Sequence, residues 1–141
     1  MSQNYKNHRR FVPTFHFVTS PILLTVLIGA IVNLVNASSA TIYSASLILV
    51  LTLAVISVSF HSRIFALKAQ NRAIRAEENF RHYILTGKPL DPRLRMGQII
   101  ALRFASDAEF PALAQRAVAE DLSNDTIKRS IKDWRADYNR V

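Results

Sequence analysis

From Phe11 to Ser62 the chain carries no Asp, Glu, Lys or Arg, a run of 52 residues in a protein of 141 that has 28 charged side chains elsewhere. A soluble domain must solvate its surface, and no fold of this size needs so long an uncharged stretch. Residues 19–35 and 42–60 are each close to the roughly 20 apolar residues that a helix needs to cross a bilayer. Ser20 can cap the first helix and Pro21 can sit in its first turn, where a missing N–H costs nothing. Residues 36–41 are polar but uncharged, and long enough only to reverse the chain. The expectation is an all-α protein with a transmembrane helical hairpin over residues 18–61, its spans covering about 18–35 and 41–61. A buried hairpin in a soluble core would not need two helices that are apolar all round. Cleavage of a signal peptide after Ala40 fits the small residues Ser38 and Ala40. The apolar stretch is too long for that, however, and a second span follows at once.

Charge placement sets the expected topology. The net charge is +8, of which residues 1–17 supply +3, residues 62–90 +4 and residues 91–141 only +1. The excess flanks both ends of the apolar block, and the turn between the spans carries none. Positive flanks stay on the cytoplasmic side, so the reading is a multi-pass protein of the cell inner membrane with both termini cytoplasmic. Lys6, Arg9, Arg10, Arg63 and Lys68 are the candidate contacts to anionic lipid. A nucleic-acid partner is not expected, because the C-terminal part lacks the uncompensated cations that phosphate binding uses.

Within the block, Gly29 and Ala30, and Ala45, Ala54, Ser57 and Ser59, would let helix backbones approach. Thr25, Asn33, Ser44, Ser46 and Thr52 could hydrogen-bond across the hairpin or to a partner helix. No ionisable group lies at mid-membrane, which argues against a transporter, proton path or channel. The absence of cysteine excludes disulfides, thiolate zinc sites and thiol catalysis. The remaining candidate ligands are His16 and His61, which an antiparallel hairpin would bring to the same membrane level. They could hold a haem or a metal, but interfacial histidines beside Phe15, Phe17 and Phe60 explain them more simply, because two His with no carboxylate neighbour make a poor ligand set, so no cofactor is expected. With three glycines and no phosphate-loop or hydrolase pattern, no catalytic residue is indicated and the protein reads as a non-enzyme.

Beyond the second span nothing stops the helix. Residues 61–85 contain neither Gly nor Pro, which predicts one helix from about 41 to 85 whose residues 62–86 form a membrane-proximal cytoplasmic segment. Glu77 and Glu78 with Arg81 and His82 read as solvent-exposed helical pairs. Gly87 can end the helix and Pro89 bars its continuation. Residues 91–141 read as a small cytoplasmic three-helix module. Its first helix would run from Pro92 to about Phe104. The second would open at the capping-box pattern Ser106-Asp-Ala-Glu109. The third, capped by Ser123 or Asn124, would carry the stripe Ile127, Ile131, Trp134 and Tyr138. Together with Gly29 and Phe110, that stripe supplies the candidate interaction residues, and Trp134 is the candidate anchor.

Several segments also resemble a family of uncharacterised bacterial two-span membrane proteins, a domain of unknown function. They are the opening Asn-Tyr-Lys-Asn-His-Arg-Arg-Phe-Val-Pro, Phe15-His-Phe-Val, Leu27-Ile-Gly-Ala-Ile-Val-Asn33, the stretch from Lys68 to Arg81, that from Gln98 to Asp107, and Ile131-Lys-Asp-Trp-Arg-Ala-Asp137. The resemblance spans nearly the whole chain. It implies the architecture and a bacterial membrane, and transfers no activity. The expected role is an accessory or scaffold protein that mediates protein–protein contact or homo-oligomerisation at the membrane, with a membrane-protein or cytoplasmic partner. The alternatives are a small haem or metal protein using His16 and His61, and a lipid sensor using the basic flanks.

Overall fold

A computed structural model of the chain describes residues 4, 5, 7 and 12–137. Among the described residues it is all-helical, with no strand beyond one isolated bridge. A widened π-helical segment, Thr14–Thr19, leads into α1, Ser20–Val35. The long α2 covers Ile42–Thr86, and the short helices α3, Met96–Leu102, α4, Phe110–Ala119, and α5, Asn124–Ser130, follow. The described residues form two compact units, one of residues 12–66 and one of residues from Leu67 on together with the N-terminal Asn4, Tyr5 and Asn7. Residues 67–86 of α2 fall in the same compact unit as the small helices.

In the hairpin unit the first helix starts earlier than expected. Pro13 precedes it, and Ser20 lies inside the continuous helical stretch, where it caps nothing. Pro21 has no N–H and its ring crowds the carbonyl one turn back. The preceding turn is widened accordingly: the Ser20 N–H and its hydroxyl both bond the Phe15 carbonyl, five residues back, the hydroxyl at 2.8 Å. Ala30, Ala45 and Thr52 are buried. Half-buried Leu23, Leu27 and Leu34 line the α1 seam, and Leu49, Ile56, Ser59 and Arg63 continue that of α2. The α2 seam advances by alternating steps of four and three, the spacing that lets two helices interlock along their length. Arg63 stacks over the Phe15 ring at 4.9 Å, which fixes the antiparallel register.

The hydroxyls of this unit bond their own helix and not the other. Thr25 donates to Pro21 O at 3.0 Å, Thr52 to Ile48 O at 2.8 Å, Ser44 to Thr41 O at 2.9 Å and Ser46 to Tyr43 O at 2.7 Å. An apolar helix surface tolerates these residues because their polar atoms are already satisfied. The connecting turn meets its own backbone needs in the same way. Ser38 O accepts from the Thr41 and Ile42 N–H groups, Thr41 Oγ1 accepts from Ser38 N–H at 3.0 Å, and the Asn36 amide donates to Val32 O at 2.8 Å.

The second unit has an apolar core drawn from Ile74 of α2, Leu90 and Leu94 of the following turn, and Ile99, Leu102, Phe104, Phe110, Leu113, Ala117, Ile127 and Ile131. α2 ends at Gly87, whose φ of +70° suits a residue without Cβ. His82 is buried here and is not one of a solvent-exposed pair. Its Nδ1 lies 2.8 Å from the Lys88 carbonyl and its ring stands edge-on to Phe110. Asn79 Oδ1 accepts from Leu90 N–H at 2.9 Å, so two side chains of α2 clamp the returning chain.

α3 begins at Met96, later than Pro92, because Asp91 to Leu94 form a turn closed by Leu94 N–H to Asp91 O. Gln98 accepts the Arg95 N–H at 2.8 Å and donates to Leu122 O at 3.0 Å, which ties α3 to the connection between α4 and α5. The Ser106–Glu109 capping box does not form. The Ser106 hydroxyl is buried without a partner, and the Glu109 carboxylate accepts from Lys132 N–H at 3.1 Å. α5 is capped by Ser123, as expected, but stops at Ser130. Ile131 and Trp134 lie on an extended segment, where Ser106 N–H bonds Asp133 O and Arg135 N–H bonds Phe104 O.

Candidate functional site

The residues singled out from sequence fall into different environments. Lys6, Arg9, Arg10 and Tyr138 lie outside the described residues. Gly29 is exposed, and a Cβ added there would meet nothing within 4 Å, so Ala30 and not Gly29 makes the close helix approach. Each histidine is turned to its own helix: His16 Nδ1 lies 3.0 Å from Val12 O and His61 Nδ1 2.8 Å from Ser57 O. A metal would therefore have to use the Nε2 atoms. Among the described residues no group of three or more His, Asp or Glu side chains is arranged to hold a metal.

Phe110, Ile127 and Ile131 are interior residues of the second unit, Phe110 and Ile127 with no exposed surface. They hold the unit together and cannot meet a partner. Trp134 is half-buried and stacks on Phe104, with ring centroids 5.2 Å apart. Its apolar character, like that of Ile131, reflects packing of the extended segment and not a helical stripe.

What the sequence reading misses is a charged cluster on the inner face of α2. The Arg81 guanidinium donates to Asp107 at 2.7 Å, Glu78 at 3.0 Å and the Ala105 carbonyl at 2.7 Å, and lies 4.5 Å from the Phe110 ring centroid. Glu78 is buried, with Arg135 Nη1 a further 3.9 Å away. Arg103, also buried, pairs with Asp137 at 2.8 Å. These pairs join α2 to the α3–α4 connection and to the extended tail. They link residues as distant in sequence as Glu78 and Arg135, so no local pattern announces them. Their charges cancel, which is the signature of a structural lock more than of a reactive centre.

The outer face of α2 is different. Phe80, Tyr83 and Ile84 are 65%, 55% and 66% exposed, an uncovered apolar patch on a unit whose other large apolar residues are mostly interior. Phe80 and Ile84, with Glu77, Leu85 and Asp107, line an open cleft of about 430 Å³. The signal is present in sequence as apolar residues at three- and four-residue spacing just before Gly87. The neighbouring charges mask it, because they suggest a fully solvated helix.

The chain belongs to DUF6526. This is a family of unknown function, and its family model matches residues 1–141. Among curated proteins and solved structures, none matches the chain. Membership of DUF6526 therefore agrees with the family resemblance read from the sequence, and the all-helical fold agrees with the architecture it implies.

Proposed function

We propose that this protein is a two-span membrane protein without enzymatic activity that presents a folded helical unit for protein–protein contact at the cytoplasmic face. Thr14–Val35 and Ile42–Thr86 are long and apolar enough to cross a membrane, and their apolar windows are 6% and 11% buried. Neither window therefore resembles the core helix of a soluble fold, and lipid is the solvent that suits such surfaces. The basic flanks favour the cytoplasmic side for both ends. α2 supplies the second span with its first half, and its remainder carries the small helices.

The observation that carries the recruiting role is the exposed Phe80, Tyr83 and Ile84 face. Aromatic and branched apolar side chains left uncovered beside a rim of charge have the composition of an interface centre. The test is extraction of the tagged full-length protein from native membranes in mild detergent, followed by mass determination of the intact assembly. The expected result is a defined complex larger than one chain, weakened by Phe80→Ser with Ile84→Ser. A strictly monomeric, solitary protein would overturn the reading.

A further inference from the structure

The outer face of α2 holds a second regularity. Ala69, Ala73, Ala76, Phe80 and Tyr83 follow one another by steps of four, three, four and three, and every one is exposed. At about 100° per residue these positions fall on one stripe. The buried residues Ile74, Glu78 and His82 lie on the far side of the same helix. An exposed apolar seam of this period is what a coiled coil buries. Its first three positions are alanine, which permits close approach of backbones, and its last two are aromatic.

The flanks of the seam identify the occupant. With Ala73 and Phe80 taken as a positions, and Ala69, Ala76 and Tyr83 as d, Arg72 occupies g and Glu77 occupies e. In a parallel two-stranded coiled coil the g residue of one helix faces the e residue five positions on in its partner. Arg72 would meet Glu77 of a second copy, and by symmetry Glu77 would meet Arg72. Both side chains are exposed, and neither makes an ion pair within the described residues of the chain. Arg81, Arg93, Arg95, Arg103, Arg116, Arg129 and Arg135 do make one, whereas Arg75, off the seam, does not. Parallel alignment is also what two copies inserted with the same topology impose.

The geometry points to a second copy of this chain as the partner, docked in parallel through Ala69, Ala73, Ala76, Phe80 and Tyr83, with reciprocal Arg72–Glu77 pairs setting the register. This inference rests on the interaction role proposed above and names its partner. Confinement to one membrane raises the effective concentration of the chains, so a short seam suffices.

The chain has no cysteine, so Ala76→Cys introduces a single thiol in the seam and Arg75→Cys a single thiol off it. In native membranes under mild oxidation, the first variant is expected to give a covalent dimer and the second several-fold less. In the Ala76→Cys background, Arg72→Glu alone or Glu77→Arg alone should lower the yield several-fold by placing like charges together. Co-expression of those two variants should restore it in mixed dimers, where both reciprocal pairs join opposite charges. The cleaner rescue is the double exchange Arg72→Glu with Glu77→Arg in one chain, which makes both pairs opposite in charge again and should return the yield to that of Ala76→Cys. Trp134 fluorescence verifies that each variant is folded. Equal cross-linking at positions 76 and 75, or yields indifferent to the charge changes, would overturn the dimer. A stable complex with a different protein and no cross-link through position 76 would also overturn it while leaving the interaction role intact. A solitary monomer would overturn both.

Discussion

Substitution of Arg81 by Met removes the centre of the charged lock while keeping an unbranched side chain against Phe110. The Arg81 and Glu78 side chains are 11% and 7% exposed, so this pair is shielded from water. Without Arg81, the buried Glu78 carboxylate retains only Arg135, 3.9 Å away, and the Ala105 carbonyl loses its 2.7 Å donor. Asp107 is 68% exposed and is rehydrated at little cost. Removing one member of a buried pair costs about 3–5 kcal/mol, and this is the expected loss. Glu78→Gln in the same chain removes the stranded charge, so the double variant should lose less than the sum of the single ones. Urea unfolding of the detergent-solubilised protein, followed by Trp134 fluorescence, measures the effect. Trp134 is the single tryptophan and stacks on Phe104 in the same unit. A loss below about 1 kcal/mol, typical of an exposed pair, would refute the assignment of Arg81 as the centre of the lock.

Other outcomes follow from the same geometry. A Cβ at Gly97 would collide with the Asn124 side chain. Gly97→Ala should therefore destabilise the wild-type background, yet become neutral or stabilising by up to about 1 kcal/mol once Asn124 is Ala, because helix propensity then dominates; a chemical denaturation cycle checks the sign change. In the hairpin, Gly29→Ala should be tolerated, whereas Ala30→Leu, at a buried seam position, should lower the melting temperature in detergent. Equal effects of the two would contradict the placement of the seam. Asp91 is held down to about 2 from an ordinary 3.8, first by the Arg93 guanidinium and then by the Arg93 backbone N–H. Its folded value is depressed, so its contribution is complete above about pH 4 and lost as pH falls toward 2. A carboxyl NMR titration should place its midpoint near 2, and a midpoint near 4 would mean that the Asp91–Arg93 turn is open in solution.

Much of the architecture is legible in the sequence because it depends on local or gross features. The uncharged block, the absence of Gly and Pro before Gly87, and the Ser123 cap each act within a few residues of where they occur. The start of the first helix is not legible, because Ser20-Pro21 is a start signal only if nothing helical precedes it. Here a widened turn absorbs the proline instead. The stripe Ile127, Ile131 and Trp134 has helical spacing, yet the chain leaves the helix at Ser130. Backbone pairing with residues 104–106 fixes the extended segment, and Ile131 reaches the core from it. Glu78 and Arg81 read as a solvated pair because they are three residues apart. Their burial comes from Asp107, Ala105 and Arg135, which only the tertiary fold brings near.

In the proposed topology the two flanks of the hairpin lie on one side of a membrane and its turn lies on the other. A single cysteine introduced by Ser39→Cys in the turn, or by Ser123→Cys in the second unit, can be labelled with a membrane-impermeant maleimide in intact cells and again after lysis. In this topology, labelling is expected at position 39 from outside and at position 123 only after lysis. Labelling of both from the same side, or release of the protein from membranes by alkaline wash, would contradict it.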